Sequence, residues 1–268
     1  VEPTPVVRET LAALRPGRAW GEVRLVDEVG STNLEVRGLP VWSAVVARRQ
    51  SAGRGRRGRA WSDTEGHGIA CSLLAEVDVD GQGDGALGWV PLATGLAVRD
   101  CLVSLGLDAA LKWPNDVLAG PSEQKVCGIL CEALPPSAKG ERPRVVVGVG
   151  VNLDHEAADL PVPTATSLRL LARAAGRPAP TRDEVVPALL DALRDRLDPL
   201  DLTSLRHDYR EASATLGREV DVHLPDGSVL RARAEGVDDD GRLRVAGPQG
   251  SATVSAGDVH HLRHQPPS

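Results

Sequence analysis

The sequence predicts an α/β fold in two parts, a larger α/β portion over residues 1–214 and a small antiparallel barrel over residues 215–268. Two observations carry this. Apolar runs with strand character are interleaved with segments of helical spacing through most of the chain. From about Leu216 the pattern changes to short strands separated by Asp-Gly and Gly-rich turns, the spacing of a small barrel. With 268 residues the chain is long enough for a catalytic domain and a further small module.

After a Pro-bearing lead from Val1 to Trp20, Glu22 to Val29 alternates like a strand and runs into the turn Gly30-Ser31-Thr32-Asn33, followed by helical spacing. Ser43 to Arg48 reads as a short buried strand and Ile69 to Glu76 as another, with a Gly-punctuated arginine stretch between them. Asp78 to Gly85 is a Gly- and Asp-rich loop. Val90 to Leu105 places Val90, Ala93, Leu96, Ala97, Cys101 and Leu105 on one helical face and stops at Gly106. Leu111 to Asp116, Lys125 to Ala133 and Val145 to Leu153 read as strands or strand ends, and Pro135 to Pro143 as a loop. Thr181 with Glu184 forms a capping-box pattern that opens a helix, which Pro187 is expected to kink. The closing strands are Val220 to Leu224, Val229 to Ala234, Arg242 to Val245 and Ala252 to Val254.

Composition excludes several classes. The formal net charge of -6 gives the whole molecule no attraction for nucleic acid or an anionic membrane, so any anion site must be local. No run approaches the roughly 20 consecutive apolar residues of a membrane span, and the first residues are too polar for a secretory segment, so a cytoplasmic location is expected. Cys71, Cys101, Cys127 and Cys131 lie in apolar segments without histidine at ligand spacing, and are expected to be free buried thiols. Phe and Met are absent, leaving a core of Leu, Val, Ala and five Trp.

Four segments carry chemistry. Arg48, Arg49, Arg54, Arg56, Arg57 and Arg59 crowd one stretch that meets no acid until Asp63, an arrangement that repels itself unless an anion neutralises it. Guanidinium groups bind phosphate with paired hydrogen bonds, and the intervening glycines let backbone approach a ligand; a solvated or nucleic-acid-binding loop is the other reading. In Lys112-Trp113-Pro114-Asn115-Asp116 an amide and a carboxylate at a strand tip suit magnesium shared with a nucleotide phosphate, with Lys112 adding a compact charge; a plain structural turn has the same pattern. Lys125 opens a buried strand, where it needs an anion or a path to solvent, and Gly128 behind it makes room for a ligand. Gly148 and Gly150 in Val145 to Leu153 leave a flat floor for a planar group, and Asn152 follows in the same alternation with a donor and an acceptor suited to an adenine edge.

Together and in this order, Ser31-Thr32-Asn33, Gln50 to Arg59, Lys112 to Asp116, Lys125 to Glu132 and Gly148 to Asn152 resemble biotin protein ligases. Thr166-Ser167-Leu168 and the closing Val254 to Val259 extend the likeness over nearly the whole chain. The resemblance implies a mixed-sheet catalytic domain similar to class II aminoacyl-tRNA synthetases and a C-terminal SH3-like β-barrel. It implies formation of biotinyl-5′-adenylate from biotin and ATP with Mg2+, then transfer to a lysine of a biotin carboxyl carrier domain of a carboxylase, with no nucleic-acid or membrane partner. It assigns Ser31, Thr32, Gln50, Arg54 and Gly128 to biotin. Arg56, Arg57, Arg59, Trp61 and Asn152 fall to the nucleotide or adenylate, Asn115 and Asp116 to magnesium, and Lys125, Arg56 and Lys112 to catalysis. Ala70, Cys71, Cys127 and Cys131 depart from the family's usual residues and bear on pocket shape. A lipoate-type ligase shares this chemistry but is expected to carry a different glycine-rich signature, and a non-enzymatic nucleotide-binding regulator is a further alternative. The DNA-binding repressor form is expected to need a longer segment before the first strand than the roughly twenty residues here.

Overall fold

A computed structural model of the chain describes residues 14–15, 18–61, 66–79, 84–136, 140–224, 227–248, 250–255 and 258–261. Most of the lead, residues 80–83 and 137–139 of the two predicted loops, and residues 256–257 of the closing segment lie outside the described residues.

The larger part is built on a seven-stranded sheet from β1 (Val23–Val29), β2 (Ala44–Gln50), β3 (Gly68–Glu76), β4 (Ala109–Lys112), β5 (Asp116–Ala119), β6 (Gln124–Leu134) and β7 (Arg144–Asn152). Its order is β1-β2-β3-β7-β6-β5-β4. Only β1 and β2 pair in parallel, so the sheet is mixed. The central strand β7 pairs antiparallel with β3 on one side and β6 on the other. Val147, Val149 and Val151 are buried on one face, while Gly148, Gly150 and Asn152 alternate onto the other.

Helices α1 (Thr32–Glu35), α2 (Val90–Ser104), α3 (Leu168–Ala174), α4 (Arg182–Leu197) and α5 (Leu202–Ala212) complete this part. The α2 helix packs between α4, α5 and the β4–β6 end of the sheet. Gly85–Ser104 has the length and mean hydropathy, 1.3, of a membrane-crossing helix, a property the count of consecutive apolar residues missed because Arg99 and Asp100 interrupt the run. In the protein 67% of the 18-residue apolar window within that segment is buried. The Thr181–Glu184 capping box forms as predicted, and α4 continues through Pro187 to Leu197.

Some elements differ from expectation. Leu111 to Asp116 holds two strand ends, the close of β4 and the start of β5, joined by a turn across which Lys112 and Asp116 face each other in register. Trp113, Pro114 and Asn115 break the ladder there because Pro114 has no N–H to give it. The short helices α3 and α5 and the last strand were not anticipated. The α5 helix starts on an Asp201 cap that accepts from Thr203 and Ser204, a signal present in the sequence.

The C-terminal sheet comprises β8 (Glu219–His223), β9 (Val229–Val237), β10 (Leu243–Gly247), β11 (Gly250–Val254) and β12 (Asp258–His261), antiparallel in the order β11-β10-β9-β8-β12. A register shift between Arg244 and Val245 opposite β9 lets it coil, and among the described residues it stays open between β11 and β12. Its inward residues, Val220, Val222, Ala232, Leu243 and Val245, join one core with α2 and β4–β7. Buried Trp113 and Trp89 span the junction, their indole N–H groups donating to Gly241 O at 3.1 Å and Asp239 O at 3.0 Å. Arg218 makes a two-pronged ion pair with Glu123 across the same junction.

Candidate functional site

A cavity of about 320 Å³ lies over the sheet face that carries Gly148, Gly150 and Asn152. Its floor follows from register. Directly opposed residues share a face, so Ser72, Gly148 and Leu130 form one row and Ala70, Gly150 and Gly128 the next. Small residues therefore meet across three strands. Gly148 to Asn152 spans about 13 Å along β7, at the usual strand rise. Cys71 and Cys127 alternate onto the opposite, core face, where burial pushes the Cys71 thiol up to about 12 and Cys127 up further.

The planar group lying on this floor is the protein's own Trp61. A side chain at Gly150 would come within 2.4 Å of the indole, and one at Gly128 within 2.6 Å. The space left by Gly148 is filled differently, by the Asn33 amide, whose Oδ1 would be 2.2 Å from a β-carbon there. The expected floor thus divides into an indole platform and an amide seat.

At the Gly148 end, Gln50 Oε1 accepts from the Thr32 backbone N–H at 2.8 Å and lies 3.1 Å from the Thr32 hydroxyl. Ser31, Thr32 and Asn33 are buried, with Ser31 and Thr32 on the cavity wall. At the Asn152 end, Lys125 Nζ stands 2.7 Å from Asp116 Oδ1 and 5.5 Å from the Trp61 ring centre. Asp116 Oδ1 is buried and meets Lys125 as an ion pair, which leaves that oxygen a second lone pair for another partner. Asn152 donates to Thr166 O at 2.9 Å, which leaves its Oδ1 as the acceptor beside the cavity.

The arginine segment folds as a tight hairpin over the cavity. Gly55 N–H donates to Arg59 O at 2.7 Å, Trp61 N–H to Gly53 O at 3.0 Å, and Arg54 bridges Ala60. Gly53 is needed because a β-carbon would lie 2.4 Å from Trp61 O. Arg56 reaches down to the β4–β5 turn, donating to Asn115 Oδ1 at 2.8 Å, while Asn115 Nδ2 donates to Ile129 O at 3.2 Å. Arg54, Arg56, Arg59, Lys112 and Lys125 all line the cavity. Arg57 does not: in the left-handed region at φ 56, it turns away and donates to His223 O on β8 at 3.1 Å.

The structure adds residues that sequence reasoning left without a role. Asn33 and Glu132 sit in quoted segments, yet their contact depends on residues 99 positions apart. Ser72 is the one hydroxyl in the apolar strand Gly68–Glu76, a signal visible in sequence. Val259 and His260 bring β12 to the cavity wall, and His260 packs edge-on against His223 at 4.5 Å. Ser167 caps α3 and donates to His155 O at 2.7 Å, so its place in the pattern is structural.

Comparison with known proteins bears on what this cavity does. Residues 26–152 match the family described as "Biotin/lipoate A/B protein ligase family", and residues 215–262 match "Biotin protein ligase C terminal domain". The chain is 38% identical over 260 residues to a Mycobacterium tuberculosis protein named biotin--[acetyl-CoA-carboxylase] ligase, covering 92% of this chain and 91% of that one. A Paracoccus denitrificans protein of the same name is 34% identical over 242 residues, 85% of this chain and 96% of that one. Among solved structures, the biotin protein ligase of Aquifex aeolicus in complex with biotin and ATP superposes with TM-score 0.69 at 25% identity, covering 90% of this chain and 99% of that one.

Proposed function

The chain belongs to the biotin protein ligase family, and from that membership we propose how its own cavity carries the reaction. The protein is an ATP-dependent ligase: it joins biotin to ATP as biotinyl-5′-adenylate and passes the biotinyl group to a carrier protein. The observation that carries the assignment of parts is the single cavity with acceptors around Thr32 at one end and cations around Lys125 at the other.

Biotin lies with its ureido ring toward Ser31, Thr32 and Gln50 and with its valeryl chain crossing the glycine floor toward Lys125. Arg54 closes over the ring. A biotin carboxylate oxygen attacks the α-phosphorus of ATP and pyrophosphate leaves. Two anions must approach for this step, so Lys125, Lys112 and Arg56 offset charge that grows in the transition state. Asn152 offers its Oδ1 to the adenine amino group, Trp61 flanks the nucleotide, and Arg59 meets phosphate. Arg57, anchored on β8, acts by fixing the hairpin to the C-terminal sheet. In the second step the carrier lysine attacks the acyl carbon, AMP leaves, and the amine proton passes to solvent.

The donor set fits a magnesium ion that arrives with ATP. Asp116 has a buried oxygen with spare acceptor capacity and Asn115 an adjacent amide oxygen. Among the described residues no group of three or more His, Cys, Asp or Glu forms a cage, and Mg2+ usually takes one or two carboxylates with phosphate and water completing its shell. When bound it supplies screening of the phosphates. The carrier is the biotin carboxyl carrier domain of a carboxylase, with no nucleic-acid or membrane partner. Functionally the chain divides into a catalytic domain, 1–214, and a small C-terminal domain, 215–268, that completes the cavity wall.

The reading is tested by mass spectrometry on the purified protein mixed with ATP, magnesium and an equimolar pair of biotin and lipoate. Biotinyl-adenylate is the expected product. Lipoyl-adenylate alone, or neither adenylate, refutes it.

A further inference from the structure

Glu132 on β6 offers only lone pairs. Its Oε1 accepts from Arg37 at 2.8 Å and its Oε2 from Asn33 Nδ2 at 2.7 Å. The second contact fixes the Asn33 amide, turning Oδ1 toward Ser72 Oγ at 2.6 Å. A carbonyl oxygen cannot donate, so Ser72, wholly buried, spends its single proton there. Ser72 Oγ also lies 2.7 Å from Thr32 Oγ1, and with the Ser72 proton spent on Asn33 that contact carries a proton only if Thr32 supplies it. The other acceptor beside Thr32 is Gln50 Oε1 at 3.1 Å, already served by the Thr32 backbone N–H. Whichever of the two takes it, the Thr32 proton stays inside the protein. Gly148 makes the arrangement possible, because any side chain there would strike the Asn33 carbonyl.

We propose that Glu132, Asn33 and Ser72 form a one-way hydrogen-bond relay that holds the Thr32 hydroxyl as an obligate acceptor toward the cavity, so that this subsite selects a ligand bearing an N–H. The three are positioning residues acting through Thr32. The proposal rests on the biotin reading and gives it a selection rule. A ureido ring brings N–H groups, whereas a ring carrying only sulfur or oxygen would set lone pairs against lone pairs. Four elements converge to build the relay: α1, β3, β6 and the side-chain-free position on β7.

The test combines calorimetric titration and steady-state adenylation. The ligands are biotin and its two cyclic carbamate analogues, each with oxygen in place of one ureido N–H. The parent is expected to bind at least one carbamate about tenfold more weakly than biotin, the scale of one hydrogen bond exchanged for an unpaired acceptor. Ser72→Ala and Glu132→Leu should each raise the biotin KM about tenfold while kcat and the ATP KM stay within about twofold. Glu132→Gln keeps an acceptor oxygen for Asn33 and should restore near-parental biotin binding. Equal affinity of the parent for biotin and both carbamates overturns the proposal, and needs no variant to fold. So does a biotin KM unmoved in both disrupting variants, a matching rise in the ATP KM, or a Glu132→Gln variant as impaired as Glu132→Leu. Failure of the parent to make biotinyl-adenylate would instead strike the functional reading itself.

Discussion

Lys125 and Asp116 stand 2.7 Å apart on neighbouring strands, so the cation that should meet the developing anion is held in place by a carboxylate before any ligand arrives. Removing the cation should matter more to the transition state than to the fold, since Lys125 is still partly open to solvent. Lys125→Ala is expected to slow adenylate formation by about 100-fold with an unchanged melting temperature, read by pyrophosphate release in a single turnover. A loss of about threefold or less, well below that of a transition-state donor, would remove Lys125 from the catalytic set. This residue was legible in the sequence because a lysine opening an apolar strand needs an explanation. Ser72 carried a fainter signal, a lone hydroxyl in a strand, and its partners Thr32 and Asn33 are brought to it only by the docking of α1 onto β3.

At the scale of elements, the hairpin 53–61 and the β4–β5 turn are joined by the Arg56–Asn115 hydrogen bond, so the cover of the cavity is fastened to its phosphate end. Arg56→Gly cuts this tie and removes one of several cations. Adenylate should still form, but leave sooner and react with any lysine it meets. Incubating the variant with biotin, ATP and an unrelated bystander protein should label the bystander about tenfold or more above the parent level, as loss of one charge-assisted hydrogen bond implies. Normal adenylate synthesis without added bystander labelling would contradict a retaining role. The composition of this hairpin announced an anion site, but not the direction of each guanidinium. Arg56 and Arg57 are adjacent and chemically alike. The left-handed backbone at Arg57 sends one to the cavity side and the other to β8.

Across the whole molecule, the C-terminal sheet is fastened to the catalytic part through a titratable side chain. His261 on β12 lies 3.0 Å from the Thr215 hydroxyl, which accepts the Trp113 backbone N–H at 3.0 Å beside the cavity. Burial, then the nearby Lys112 and Arg218 charges, lowers the His261 pKa from 6.5 to about 4. The imidazole is therefore neutral in the fold, and Thr215 can donate to its Nε2. Between these two pKa values the unfolded chain binds a proton that the folded chain refuses, so stability rises with pH. The contribution is complete above pH 6.5, falls away as pH drops toward 4, and falls no further below. The melting temperature should decline over that window, and His261→Gln should flatten the decline. An identical slope in the variant would mean that other groups set the acid limit.

The order of the cationic, amide and glycine segments, and the change of pattern near Leu216, were determined by the sequence alone, because charge, φ freedom and strand alternation are local properties. They named the family and most of the residues around the cavity. Which glycine makes room for which group was decided only by the tertiary structure. Gly148 and Gly150 look equivalent along β7, but strand pairing sets one against Asn33 and the other, in register with Gly128, beneath Trp61. The direction of the Thr32 proton likewise depends on residues drawn from four elements. Hydrogen-bond polarity is a property of the closed network, and no single segment contains enough of that network to define it.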